Sequence, residues 1–264
     1  MNNPGVKIIL SHTTHPGNIG AVARAIKNMG FKHLCLVSPK IFPSDEANAR
    51  AAGAEDILAT AEVVATIDEA LADCHCAFGL SARARKIGLP ILTARNAAEK
   101  IANTLLETST TPALKIGLLF GQEQSGLLNE ELAKCHYQIS IPANPDYSSL
   151  NLAQAVQIVS YELRMAIINL NLDLKSPIVL KNGHNLADNE LKNIEKPGDD
   201  LATIDEVERF YKRLEETLVH IHFLDLKSPG YLMRHLRRLY AKSGLTKIEL
   251  NILHGILTAT EKGV

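Results

Sequence analysis

No apolar run among the 264 residues approaches the roughly 18 needed to cross a membrane. The opening stretch MNNPGVKIIL lacks a signal-peptide pattern, so a soluble cytoplasmic protein is the expectation. Cysteine is scarce: Cys35, Cys74, Cys76 and Cys135 lie in or beside expected strands. Cys74-His75-Cys76 and Cys135-His136 match no C-x2-C or related zinc spacing, and neighbouring strand residues point to opposite faces. Buried thiols are expected and a metal is not. An excess of charge of either sign is missing too. The net charge is -1, which offers no overall basic field to nucleic acid.

Phosphate-binding loops are equally absent. Gly17-Asn18-Ile19-Gly20 lacks the G-x-G-x-x-G spacing that seats a pyrophosphate on a helix N-terminus. Gly121 and Gly126 have Walker-like spacing, but Leu127-Leu128 stands where Lys-Ser/Thr is required, which removes the case for nucleotide triphosphate chemistry. No G-x-S-x-G elbow occurs. These absences leave a cofactor without phosphates, held by backbone groups at strand ends and by apolar side chains.

What is present is an ordinary globular composition, 46% hydrophobic and 22% charged, at a length that fits one medium domain with an appendage or two small domains. Short apolar runs at 6–10, 33–37, 63–67, 76–80, 116–120 and 137–141 alternate with helical patterns. Helices are expected from Asn18 as cap to Gly30, over 44–54, 68–72 and 96–106, and from about Leu150 to Asn169. This alternation implies an α/β fold, a mostly parallel sheet with helices on both faces. Residues 171–200 are polar, carry Pro177, Gly183, Pro197 and Gly198, and read as a linker. Two capping boxes, Thr203 to Glu206 and Thr246 to Glu249, open helices of a small all-helical domain over 201–264.

The segment 117–159 holds two strand ends followed by loops rich in Gly, Pro, Asn and Ser, where ligands of open α/β sheets bind. Three loops offer cofactor contacts: Leu80-Ser81-Ala82, Gly121-Gln122-Glu123, and Ile141 onward to Ser148-Ser149-Leu150. Basic residues cluster in two places. Arg83, Arg85 and Lys86 follow the first loop, and Arg234, Arg237, Arg238 and Lys242 share one helix in a stretch, 227–247, without an acidic residue. Such a run is either a solvated face or an RNA phosphate contact.

N-I-G-A-V-A-R (18–24), F-G-Q-E-Q-S-G-L (120–127) and I-P-A-N-P-D-Y-S-S-L-N-L-A-Q-A-V (141–156) resemble the three motifs of the SpoU-like branch of the SPOUT RNA methyltransferases. C-H-Y-Q-I (135–139), L-M-R-H-L-R-R-L (232–239) and E-L-N-I-L-H-G-I-L (249–257) are similar to a bacterial tRNA-methylating group within it. The resemblance covers residues 1–170 and the C-terminal helices and leaves the linker unmatched. Leu80 is a departure, since relatives often have Thr there.

The resemblance implies S-adenosylmethionine bound in a trefoil knot formed by the carboxyl half of the first domain. It implies a homodimer with active sites at the subunit interface. The implied reaction is methylation of the ribose 2′-hydroxyl of cytidine or uridine at the first nucleotide of the tRNA anticodon loop. The same reaction on ribosomal RNA, or RNA binding without catalysis, are the alternatives. The implied catalytic set is Arg24, Asn18, Glu123, Ser149 and Asn151. Leu80, Ser81, Ala82, Gly121, Ile141, Ser148, Ser149 and Leu150 would hold the cofactor, and Arg83, Arg85, Lys86, Arg234, Arg237, Arg238 and Lys242 the tRNA.

Each of these residues also has a plainer reading. Asn18 and Glu123 could cap helices, Ser149 and Asn151 could be turn and cap residues, and Leu80, Ile141 and Leu150 could be core. Arg24 could be a solvated helix residue, where the family role is a base or an electrostatic stabiliser, and Tyr147 either stacks on a base or packs.

Overall fold

A computed structural model of the chain describes residues 5–83, 88–107, 114–170, 200–226, 230–241 and 244–262. They fall into two compact units, one within Met1–Asn182 and one within Gly183–Val264. The segment read as a linker, 171–200, lies outside the described residues except for Asp200.

In the first unit the chain runs β1 (Val6–Ser11), α1 (Pro16–Asn28), β2 (His33–Val37), α2 (Asp45–Ala51), α3 (Glu55–Ala59), β3 (Glu62–Val64), α4 (Ile67–Leu71) and β4 (Cys76–Leu80). It continues through β5 (Ile91–Thr93), α5 (Ala94–Glu107), β6 (Ile116–Phe120), α6 (Asn129–Leu132), β7 (Tyr137–Ser140) and α7 (Leu152–Asn169). The strands form one sheet in the order β3-β2-β1-β6-β4-β7-β5. Every pairing is parallel. Thus β6 and β7, last in sequence, sit inside the sheet between strands that precede them in the chain.

Parallel sheets are covered on both faces, and the burial of every residue of β6 shows it here. Register pairs Gly117 with Ala77, so Gly117 and Gly79 share a face. A Cβ on Gly117 would lie 2.9 Å from the Leu71 side chain of α4, and one on Gly79 would lie 2.6 Å from Leu132 of α6. Those two helices therefore cover that face. Phe120 points to the opposite face, where α7 packs between α1 and α5. Cys35, Cys74 and Cys135 are buried free thiols. Burial pushes the thiols of Cys35 and Cys74 up to about 12, far from the thiolate a metal needs. Among the described residues no group of three or more His, Cys, Asp or Glu could hold a metal ion. No described helix is long and apolar enough to cross a membrane.

Several local expectations need correction. Helix α1 opens at Pro16, with His15 at the cap position and no side-chain cap bond, so Asn18 is not a cap. Proline fits the first turn because its missing N–H is not needed there. The helix expected over 44–54 is α2, which stops at Ala51, and a separate helix, α3, follows from Glu55. Ala52 (φ 45°) and Gly53 (φ 92°) take left-handed conformations that end the first of them. The apolar run 63–67 divides between β3 and α4, because the Thr66 hydroxyl accepts from Glu69 N and caps the helix.

The second unit comprises α8 (Ile204–His220), α9 (Leu232–Ala241) and α10 (Lys247–Lys262). Its core is Ala202, Phe210, Tyr211, Leu214, Leu250 and Leu257, flanked by Leu236, Tyr240 and Leu253. Both capping boxes form: Thr203 with Glu206 and Thr246 with Glu249 exchange side-chain and backbone bonds. Arg213 ties α8 to α10 through Thr258 (2.8 Å) and Glu261 (2.9 Å).

Candidate functional site

The carboxyl ends of β6, β4 and β7 lie side by side and open into a cleft of about 930 Å³, counting its mouth. Leu80, Ser81, Ala82, Gly121, Ile141, Ser148, Ser149 and Leu150 all line it, so the three loops singled out in the sequence meet in one place. Leu80, Ile141 and Leu150 are half-buried at its wall, which removes the reading of them as core. Phe120, Leu152 and Ala155 add an apolar floor, and Arg83 joins the rim.

The middle loop is closed on itself. Gly126 N donates to Gln122 O at 2.9 Å, and a Cβ on Gly121 would lie 2.1 Å from the backbone of Gly126 and Leu127. Only glycine permits that approach. The first loop is pinned through Ser81. Its N–H donates to Ile139 O at 3.0 Å and its hydroxyl to Arg83 O at 3.0 Å, while Gln138 Nε2 donates to Arg83 O at 2.9 Å. The residues present therefore suit a largely apolar ligand with a few polar edges. Among the described lining residues the charges are Arg83 and Glu123 alone, too few for a triphosphate.

Glu123 is the best-held polar group of the site. Its Oε2 accepts from Thr14 N (3.1 Å) and Thr14 Oγ1 (2.8 Å), and its Oε1 from His15 N (3.2 Å) and Asn18 Nδ2 (2.9 Å). Burial opposes ionisation, but these donors outweigh it and hold the carboxyl at about 2. A carboxylate held by four donors stays ionised at neutral pH and is a poor proton acceptor there. It is also not a helix cap, since the N–H of Leu128 ahead of α6 donates to Glu131 instead.

The network continues outward. Asn18 Oδ1 accepts from Asn151 Nδ2 at 3.1 Å, and Asn151 Oδ1 accepts from Ala153 N at 2.9 Å, capping α7. Asn151 thus fills the cap role and joins the site as well. Ser149 and Asn151 are both exposed at the start of α7. Tyr147 is 80% exposed, so it does not pack within the unit.

Arg24 stands apart. It is six residues beyond Asn18 on α1, roughly 9 Å along the axis at the usual rise, and does not line the cleft. Its side chain is exposed on the outer face of α1. In the second unit Arg234 and Arg238 are exposed, and Arg237 is half-buried: its guanidinium pairs with Glu208 and lies 4.6 Å over the Tyr211 ring. Its pairing with Glu208 removes Arg237 from the set of free cations. Arg85, Lys86 and Lys242 lie outside the described residues.

Sequence reasoning missed Thr14, His15, Ser11 and Glu131. Buried Glu131 accepts from the Ser11 hydroxyl, and Ser11 in turn bonds His12 Nδ1 at 2.8 Å. One carboxylate therefore ties the end of β1 to the turn entering α6, behind the loop that grips Glu123. The spacing L-N-E-E-L gave no hint beyond an ordinary helix start.

A model of the SpoU rRNA Methylase family matches residues 5–161, and one described as "tRNA methyltransferase TrmJ, C-terminal domain" matches residues 205–264. The chain is 44% identical over 257 residues to the tRNA (cytidine/uridine/adenosine-2′-O-)-methyltransferase TrmJ of Pseudomonas aeruginosa UCBPP-PA14, covering 97% of this chain and 94% of that protein. It is 43% identical to the tRNA (cytidine/uridine-2′-O-)-methyltransferase TrmJ of Escherichia coli O6:K15:H31, covering 97% and 95%. Among solved structures, TrmJ from Z. mobilis ZM4 superposes with a TM-score of 0.74 at 30% identity, covering 97% of this chain and 98% of the other. A probable methylase family protein from Haemophilus influenzae Rd KW20 gives 0.58 at 42% identity, covering 98% and 96%.

Proposed function

The chain belongs to the SpoU rRNA methylase family, and on that premise we propose that it is an S-adenosylmethionine-dependent tRNA ribose 2′-O-methyltransferase acting at the first nucleotide of the anticodon loop. The observation that carries the reading is the convergence of all eight expected cofactor residues on one cleft beside the Glu123–Asn18–Asn151 network. The match of the C-terminal helices to a tRNA methyltransferase domain favours tRNA over ribosomal RNA.

The cleft fits the cofactor: apolar walls at Leu80, Ile141 and Leu150 suit the adenine, and backbone groups of the three loops suit its polar edges. When bound, S-adenosylmethionine supplies a methyl group already activated by its sulfonium. The protein's own work is alignment, which contributes roughly 7–11 kcal/mol in well-oriented reactions, and help for a poorly acidic hydroxyl. Glu123 fixes Asn18, and Asn18 with Asn151 fixes the edge of the cleft at which Ser149 is exposed. Arg24, being always protonated, stabilises charge developing on the 2′-oxygen and orients the adjoining phosphate.

Since Arg24 is exposed and does not line the cleft of its own subunit, it serves the cleft of a second copy in a homodimer. An apolar stripe supports that assembly. Tyr161, Met165 and Ile168 of α7 are 50%, 36% and 46% exposed at i, i+4 and i+7 spacing. The insertion of β6 and β7 between earlier strands supports the trefoil knot. The division into a methyltransferase domain (1–170), a linker (171–200) and a tRNA-binding helical domain (201–264), acting in the cytoplasm, belongs to the same proposal. Arg83, Arg234 and Arg238 are its phosphate contacts.

Incubating the protein with labelled S-adenosylmethionine and unmodified tRNA, then mapping the product by mass spectrometry, tests this. A 2′-O-methyl group at the first anticodon-loop nucleotide is expected, with a loss of about 100-fold or more in Arg24→Ala at unchanged cofactor binding. Absence of transfer to tRNA across a range of salt concentrations would overturn the reading.

A further inference from the structure

Helix α9 has two faces of different character. Leu236 and Tyr240 pack on the unit's core, and Arg237 beside them pairs with Glu208; its carbonyl accepts from Tyr211 Oη at 3.2 Å. The other face contributes nothing to that core. Tyr231, just ahead of the helix, and Arg234, His235 and Arg238 are all exposed at i, i+3, i+4 and i+7 spacing, one stripe along the helix. Tyr231 is 67% exposed, and the Arg234 guanidinium lies 4.5 Å from its ring centroid. A large ring held in water with a cation on one side leaves its other side open.

This combination selects a ligand. Two guanidinium groups alone would serve any anion, including an acidic peptide. An exposed aromatic ring backed by a planar guanidinium, with a second guanidinium one turn on, matches the pairing of base stacking and phosphate contact in single-stranded nucleic acid. Bases inside a duplex present no open face, whereas those of a loop do.

We propose that Tyr231 is a stacking platform for an unpaired base of the RNA, with Arg234 and Arg238 holding the phosphates on either side of it. The proposal rests on the tRNA reading above and deepens it: the C-terminal unit grips a looped, single-stranded part of the substrate and is not a general phosphate binder. Stacking reads no base edge, so the contact tolerates sequence while discriminating loop from helix.

The test uses the full chain, titrated by fluorescence anisotropy with an RNA stem–loop and with a blunt duplex of equal length. Tyr231→Leu keeps an apolar side chain but removes the ring. It is expected to weaken stem–loop binding roughly 5- to 150-fold, to leave duplex binding and the salt dependence unchanged, and to be rescued by Tyr231→Phe. Arg238→Ala is expected to weaken both RNAs and to lower the salt slope by about one phosphate contact. A 2-aminopurine in the loop is expected to be quenched by the wild-type chain and less so by Tyr231→Leu. Unchanged stem–loop affinity in Tyr231→Leu, or an equal loss on the duplex, would overturn the proposal. Methyl transfer is scored separately. A wild-type chain that methylates tRNA with no dependence on Tyr231 sinks this inference alone, and one that shows Tyr231-dependent loop binding without transfer sinks the enzymatic reading alone.

Discussion

Glu123 shows how much one side chain can depend on its surroundings. Its carboxyl sits at about 2 against an ordinary 4.5, so its contribution to stability is fully present above about 4.5 and drains away as the pH falls toward 2. Glu123→Gln should therefore lower the Tm at pH 7 and flatten the fall of Tm between pH 4.5 and 2, measured on the full chain by circular dichroism. An unchanged acid limb would show that the four donors do not favour the charged form. None of those partners was legible in the linear order, because Thr14, His15 and Asn18 lie 109, 108 and 105 residues away. The residue pattern by itself offered Asn18 as a cap, and only the family resemblance set it beside Glu123. The chain uses it differently because Pro16 starts α1 a turn earlier. The cleft residues were readable because Gly, Pro, Asn and Ser at strand ends have a local cause that needs no long-range partner.

Among the elements, what the sequence made legible follows burial. β2, β4 and β6 coincide with their expected limits, His33–Val37, Cys76–Leu80 and Ile116–Phe120, since strands covered on both faces are unbroken apolar runs bounded by turns. β5 (Ile91–Thr93) escaped notice because it is three residues at the sheet's edge with Ile91 and Thr93 exposed. α9 was read as one cationic surface. Tertiary packing divides it, since Arg237 finds both a carboxylate and a ring within the unit while Arg234 and Arg238 do not pair with a carboxylate among the described contacts. α7 carries a similar split: Leu152, Val156, Val159 and Leu163 are buried, whereas Tyr161, Met165 and Ile168 are exposed. Met165→Asp puts a charge in that stripe. It should shift the protein from dimer to monomer in analytical ultracentrifugation and cut transfer at least tenfold while sparing cofactor affinity. A dimer that survives the substitution would place the interface elsewhere.

For the molecule as a whole, the division of labour between the two units is the matter to test. Each has its own core and its own capped helices, so removing 201–264 should leave the sheet folded. That truncation is expected to weaken tRNA binding at least tenfold and to change S-adenosylmethionine affinity by less than twofold, both read by calorimetry. Equal tRNA affinity would assign the helical unit another task.

The placement of β6 and β7 bears on how the protein can be made. A nascent chain that has emerged as far as residue 107 already contains β1 through β5, yet β1 is parted from β4 by the berth of β6, and β4 from β5 by that of β7. Until Ser140 leaves the ribosome these strands present raw edges with no bonding neighbour. At roughly 5–20 residues per second that exposure lasts about 2–7 s, long on the scale of collapse and ample for a misplaced pairing. The pace at which residues 108–140 are delivered thus becomes a determinant of yield, and a pause that delays them would cost more soluble protein than one that delays the tail.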